Sequence, residues 1–183
     1  MSEFQQTNKQ LHHFPLLSSS ERLEYELLTI QNSQTFVELF QQDPSLYVDE
    51  RFKNKEEAEK YAQESETAKF SAKHGGCDFL IKLKSTETYI GVLHLFDLST
   101  ETFADNHLRA NIGFAIAAPF RQQYYATEAV KHLIDYVQNT LQKSNILAYT
   151  HPENEAANDF LLSLDMTLNV ENYIYGYNYY ELK

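Results

Sequence analysis

The sequence predicts an α+β domain in which helices flank a mostly antiparallel central sheet, and three observations carry that reading. Two alternating runs between Cys77 and Phe96, separated by Ser85-Thr86-Glu87, read as an antiparallel hairpin. Apolar residues from Ala126 to Leu141 recur at the spacing of one buried helix face. The order strand, helix, strand from residue 110 to 150 can form a parallel crossover within that otherwise antiparallel sheet.

In chain order, residues 1–13 read as a flexible tail and 14–183 as one domain. Leu23-Glu24-Tyr25-Glu26-Leu27 alternates as a half-buried strand, and Asn32-Ser33 offers N-cap chemistry to a helix carrying Phe36, Val37, Leu39 and Phe40. Asp43-Pro44 ends that helix. A second opens at Asn54, places Glu56 and Glu57 in its first turn where the macrodipole favours them, and runs toward Lys73 before His74-Gly75-Gly76 stops it. After the hairpin, Thr100 to His107 is loop-like and Ala110 to Ile116 is a strand closed by Ala117-Ala118-Pro119. The long helix follows, then a strand at Ile146 to Tyr149, a short helix over Asn154 to Leu164, and two Tyr-rich strands around Gly176 within Thr167 to Leu182.

Composition excludes several classes of function. A length of 183 residues with 43% hydrophobic and 22% charged side chains suits a single domain with a full core. The formal charge of -11 argues against nucleic acid as a partner and tolerates a cationic one such as an amine. Cys77 stands alone, so no disulfide framework or Cys-rich zinc pattern exists, and a reducing cytoplasm is the expected location. Neither a bilayer-spanning run nor a signal peptide is recognisable, so no membrane partner is expected, and His12-His13 lacks the further ligands that a metal would need. Thirteen Tyr and 12 Phe stand beside only five Gly, so a ligand loop must be built with few glycines.

The chemistry concentrates between Asn111 and Ala129, where a strand passes through a loop into the long helix. Unpaired N–H groups and the positive end of the macrodipole at that helix start suit an anion. The segment resembles the acyl-CoA-binding motif of the GNAT N-acetyltransferase superfamily, and most of all its ribosomal-protein-type branch, the RimJ/RimL-like enzymes. The residues that carry the resemblance are Pro119, Arg121 and Ala126-Thr127-Glu128-Ala129, with Phe14-Pro15, Glu21-Arg22-Leu23 and Asn154 three residues before Ala157. The resemblance implies a GNAT-like fold whose fourth and fifth strands splay apart. Acetyl-CoA would then lie with its pantetheine along Phe114, Ile116, Ala117 and Ala118, its pyrophosphate on Arg121, Gln122, Gln123, Tyr124, Tyr125, Ala126 and Thr127, and Asn154 facing the arm. No metal is implied.

The sequence also departs from that family. Tyr124 occupies the position of the usual loop glycine, and a negative φ is expected there because the residue starts a helix. Leu161 stands where many of these enzymes carry a Tyr acid, Asn111 where this branch often has a Glu, and Asp165-Met166 where Gly-Phe is usual. No conventional acid or base is recognisable, and the candidates are His94, Asn111, Tyr124 and Tyr125, although a lone strand histidine such as His94 is more often a hydrogen-bonded structural residue. An α-amine, with a pKa of about 7.7–8.0, needs less base catalysis than a lysine near 10.4. The expected function is therefore acetyl transfer from acetyl-CoA to an amine, such as a protein N-terminus. The alternative is a degenerate domain that binds CoA or another ligand as a sensor or interaction module, and a third reading is a structural dimerisation protein that uses its Tyr-rich end as a homodimer edge.

Overall fold

The computed structural model describes residues 16–41, 43–45, 47–68, 75–96, 109–169 and 176–183. The expected tail 1–13, Phe14-Pro15, the end of the second helix near Lys73, the loop Thr100 to His107 and residues 170–175 of the Tyr-rich end fall outside them.

Seven strands form one sheet: β1 (Leu23–Leu27), β2 (Cys77–Leu83), β3 (Tyr89–Phe96), β4 (Arg109–Ile116), β5 (Asn145–Thr150), β6 (Thr167–Leu168) and β7 (Asn178–Leu182). Their order is β1-β2-β3-β4-β5-β7-β6, and every neighbouring pair is antiparallel except β4 and β5. The helices are α1 (Gln34–Phe40), α2 (Lys55–Ala68), α3 (Tyr125–Asp135) and α4 (Glu155–Leu162). Because side chains alternate along a strand, β2 and β3 feed two separate cores. Phe79, Ile81, Leu93 and Leu95 pack with Ala129, Leu133 and Leu161 on the α3/α4 face. Leu80 and Val92 pack with Phe36, Phe40, Phe52, Ala58 and Ala62 on the α1/α2 face.

Local chemistry explains most element boundaries. Asn54 caps α2 as expected, its Oδ1 accepting from the amides of Glu56 at 2.9 Å and Glu57 at 3.2 Å. Asn32 and Ser33 do not cap α1 in the expected way. Asn32 Oδ1 accepts from the Thr29 amide at 2.8 Å, and the Ser33 hydroxyl donates back to the Ile30 carbonyl, because a short 3-10 turn over Ile30–Asn32 precedes the helix and takes both side chains. Another 3-10 turn, Ala118–Phe120, starts with Ala118-Pro119 and reverses the chain between β4 and α3. Past Asp135 the long helix widens into a π turn over Tyr136–Thr140 that keeps Tyr136 and Val137 buried.

Candidate functional site

The site begins where the sheet opens. β4 and β5 pair only through Arg109↔Asn145, Ala110↔Ile146 and Asn111↔Leu147, after which β5 continues along β7 and β4 along β3. The Ala117 amide donates to the Ile90 carbonyl on the β3 side at 2.9 Å, so strand alternation turns the N–H groups of Phe114 and Ile116 the other way, into the gap. A cleft of about 1400 Å³ runs through this notch, bounded by Phe114, Asn154 and Phe160 toward the α3/α4 face and by Tyr61, Asp78 and His94 toward the α1/α2 face.

The loop leading into α3 has a backbone that the sequence did not predict. Tyr124 lies at φ 63°, ψ 13° and Gln122 at φ 60°, so both residues are left-handed, contrary to the negative φ expected at Tyr124. The cause is the tight reversal from the 3-10 turn into the helix, which standard right-handed geometry cannot make, and it explains why a glycine suits this position. Tyr124 is 78% exposed, with its ring in solvent at the border of the cleft. A left-handed residue just before a right-handed helix start turns successive amides toward one concavity, the arrangement of an anion-binding nest.

Two ion pairs hold this loop. Arg121 donates through Nε to the Ile116 carbonyl at 2.8 Å and through Nη2 to Asp43 at 2.6 Å, where the Asp43 carboxylate is only 1% exposed. On the other flank Glu128 accepts from the Ser20 hydroxyl at 2.7 Å, the Arg22 amide at 2.7 Å and Arg22 Nε at 2.6 Å. Arg22 also reaches the Gln123 carbonyl and covers the Tyr125 ring. Burial would raise the Glu128 pKa, but these donors outweigh it and hold the carboxyl below its ordinary value.

On the α1/α2 face, His94 of β3 and Asp78 of β2 meet in the β2–β3 register. His94 Nδ1 lies 2.6 Å from Asp78 Oδ1, with the two side chains 17% and 7% exposed. Phe52 stacks on the imidazole at 5.5 Å, and the Tyr61 hydroxyl is 3.4 Å from Nδ1. Burial first, and then the charge and hydrogen bond of Asp78, push the Tyr61 phenol well up, so it remains a donor. Asp49 also faces His94. Its burial is outweighed by hydrogen bonds from the Arg51 side chain and amide, and its carboxyl is held below the usual range.

Residues 22–167 match the model of the acetyltransferase (GNAT) domain. The chain belongs to the GNAT acetyltransferase family. The GNAT fold is shared with a Vibrio cholerae protein assigned as a ribosomal-protein-serine acetyltransferase, at 20% identity and TM-score 0.69 over 90% of this chain and 95% of that one. A GNAT-family acetyltransferase from Bacillus anthracis gives 17% identity and TM-score 0.69, over 90% and 96% of the two chains. A mutant spermidine N-acetyltransferase from Vibrio cholerae gives 14% identity and TM-score 0.66, over 89% and 94%. Among curated proteins none matches the sequence.

Membership in the GNAT family makes the chain an N-acetyltransferase by class, and the expected residues can be placed in that frame. Phe114, Ile116, Arg121, Gln122, Tyr124, Tyr125, Ala126, Thr127 and Asn154 all border the cleft. Ala117, Ala118 and Gln123 do not, and the Ala117 amide is already used by Ile90. Asn154 spends its Oδ1 capping α4, 3.3 Å from the Ala157 amide. Asn111 is half-buried on β4, two residues before Gly113 on the same face. Asp97 and His12-His13 lie outside the described residues, among which no group of three or more His, Cys, Asp or Glu side chains could hold a metal. No described helix is long and apolar enough to cross a membrane.

Sequence reasoning missed Asp78, Asp43 and Asn158. The Asn158 amide donates to the Asn154 carbonyl, while its Oδ1 accepts from Tyr180 at 2.6 Å and Asn178 at 2.9 Å, tying α4 to β7. The available signal for Asp78 was an acid inside the otherwise apolar run Cys77-Asp78-Phe79-Leu80-Ile81.

Proposed function

We propose that the protein transfers the acetyl group of acetyl-CoA to an amine, with a protein N-terminal α-amine as the favoured acceptor, in the manner of the RimJ/RimL-like branch. The observation that carries this reading is the coincidence, in one cleft, of the β4–β5 opening with the amide-rich loop at the start of α3. The residues present fit acetyl-CoA. Strand amides at Phe114 and Ile116 suit the polar groups of a pantetheine arm, and the nest from Gln122 to Ala126 suits a pyrophosphate. Arg121 contributes by fixing the end of β4 to the loop. Asn154, through its cap, sets the start of α4 beside the notch.

The chemistry asked of the protein is positioning and charge stabilisation. The acceptor nitrogen attacks the thioester carbon, negative charge develops on the carbonyl oxygen, and a strand N–H fixed in the notch stabilises it without reorganising. At pH 7 about a tenth to a sixth of an α-amine is already neutral, two to three orders of magnitude more than of a lysine side chain. The net charge of -11 suits a cationic acceptor in the cytoplasm.

Calorimetry with acetyl-CoA, followed by a turnover assay over peptide α-amines, lysine peptides and polyamines, tests the proposal. Micromolar binding with turnover on α-amines is expected. Binding no tighter than millimolar overturns the enzyme reading, and micromolar binding without turnover favours a ligand sensor.

A further inference from the structure

We infer that His94 is the catalytic base of this enzyme, acting through Nε2, and that Asp78 is the positioning residue that makes Nε2 available. The inference rests on the acetyltransferase reading above. A carboxylate can only accept, so the proton in the 2.6 Å contact between Asp78 Oδ1 and His94 Nδ1 sits on Nδ1. In a neutral imidazole that leaves the lone pair on Nε2, the state a base requires. Tyr61 strengthens the assignment, because its hydroxyl hydrogen bonds to Asp78 and adds a second donor to the same carboxylate. The stack with Phe52 fixes the ring plane.

Placement agrees with the role. His94 pairs with Gly113 across β3 and β4, and a Cβ added to Gly113 would lie 3.4 Å from His94 Cδ2, the ring carbon bonded to Nε2. The ring edge carrying Nε2 therefore rests over Gly113, the residue before Phe114, whose amide is the innermost one turned into the notch past the last β4–β5 pair. An acyl carbon held at that amide and an acceptor arriving from the α1/α2 face meet beside Nε2. Among the described residues, the charged and titratable groups facing the imidazole are Asp78 from β2, Tyr61 from α2, and Asp49, itself paired with Arg51, at the start of the 3-10 turn Glu50–Lys53.

The step balances as follows. The neutral amine nitrogen forms a bond to the thioester carbon, and the resulting N–H⁺ gives its proton to Nε2. The C–S bond then breaks, and the imidazolium returns that proton to the departing thiolate, so that amide and free thiol leave and His94 is again neutral.

The test compares wild type, His94→Gln and Asp78→Asn in kcat/KM against pH with an α-amine peptide, alongside acetyl-CoA affinity and nitrogen NMR of the imidazole. Wild type should show the Nδ1–H tautomer and a log kcat/KM that rises with slope 2 in acid, one proton from the amine and one from His94. His94→Gln should keep acetyl-CoA affinity within about twofold, lose about 100-fold or more in kcat/KM and show slope 1. Asp78→Asn should lose the Nδ1–H tautomer and at least about tenfold in kcat/KM with KM little changed. Should Asp78→Asn fail to fold, the wild-type tautomer and His94→Gln decide alone. A protonated Nε2 in wild type, or a His94→Gln protein with wild-type rate and slope, overturns the inference and leaves the acetyltransferase reading standing. Wild type that binds acetyl-CoA but acetylates no amine overturns both.

Discussion

Replacing Tyr124 by glycine should make the protein more stable while keeping its cofactor site. The residue sits at φ 63°, ψ 13°, a region that costs an L-residue about 1–2 kcal/mol and glycine almost nothing. Its ring is 78% exposed, so truncation forfeits little buried surface. Against the gain stands the extra backbone entropy a glycine loses on folding, about 0.5–1 kcal/mol. The difference leaves about 0.5–1 kcal/mol of stabilisation, which for a chain of this length raises Tm by about 1–4 °C. Thermal unfolding measures that shift, and calorimetry should find acetyl-CoA bound as tightly or more tightly. Tyr124→Ala serves as the control. It removes the ring but keeps the strain, so its Tm should not rise. A falling Tm for Tyr124→Gly refutes the strain argument, and a loss of more than about fivefold in affinity, roughly 1 kcal/mol, refutes the outward ring by making it a ligand contact.

Further outcomes follow from contacts that hold the loop and the β3–β4 pair. Arg121→Ala should cost about 2–4 kcal/mol, read in urea unfolding, because it strands the nearly buried Asp43 carboxylate. The half-exposed guanidinium keeps the loss toward the lower end, and Arg121→Lys should recover only part because one ammonium cannot span both Asp43 and the Ile116 carbonyl. Gly91→Ala should destabilise by about 3 kcal/mol or more, since its Cβ would fall 2.3 Å from the Ala115 carbonyl oxygen and force β3 and β4 apart. Gly113→Ala, with its nearest contact at an ordinary 3.4 Å, should fold with little loss. Glu128→Gln should cost about 1–2 kcal/mol at pH 7. The Glu128 carboxyl titrates below its ordinary 4.5, so its ionised form contributes stability above that pH and loses it as pH falls through the lowered value. The gap between the two proteins should therefore close in acid unfolding curves.

Local rules made most of the fold legible. The alternation in Phe79, Ile81 and Leu83, the one-faced period from Ala126 to Leu141 and the turn at Ser85-Thr86-Glu87 are written into neighbouring residues, and they became β2, α3 and the β2–β3 hairpin. The site was legible only where a motif is contiguous, as from Pro119 to Ala129. Asp78 and His94 are sixteen residues apart, and Asp43 and Arg121 seventy-eight, so nothing short of the β2–β3 register and the packing of the α1–α2 region could bring them together. The φ of Tyr124 was misjudged for another reason. A helix start suggests a negative φ, but the usual glycine at that position was itself the sign of a left-handed backbone, and the tyrosine occupies that conformation under strain.

Arg121 also changes how an acidic protein can hold an anionic cofactor. A formal charge of -11 repels a pyrophosphate at long range, and the two arginines that touch the loop, Arg121 and Arg22, are paired with Asp43 and Glu128. Attraction must then come from dipoles: the inward amides of the loop and the first turn of α3, which act over a few ångströms and are fixed before the ligand arrives. On this account Arg121 serves the site by holding the nest in shape. Binding should consequently depend only weakly on ionic strength compared with a site built on free lysines and arginines, because the screening of distant like charges offsets the screening of the local attraction. Raising salt from 50 to 300 mM should change the acetyl-CoA Kd by less than about threefold, whereas an affinity that collapses steeply with salt would mean that mobile cations, and not the fixed amides, hold the phosphates.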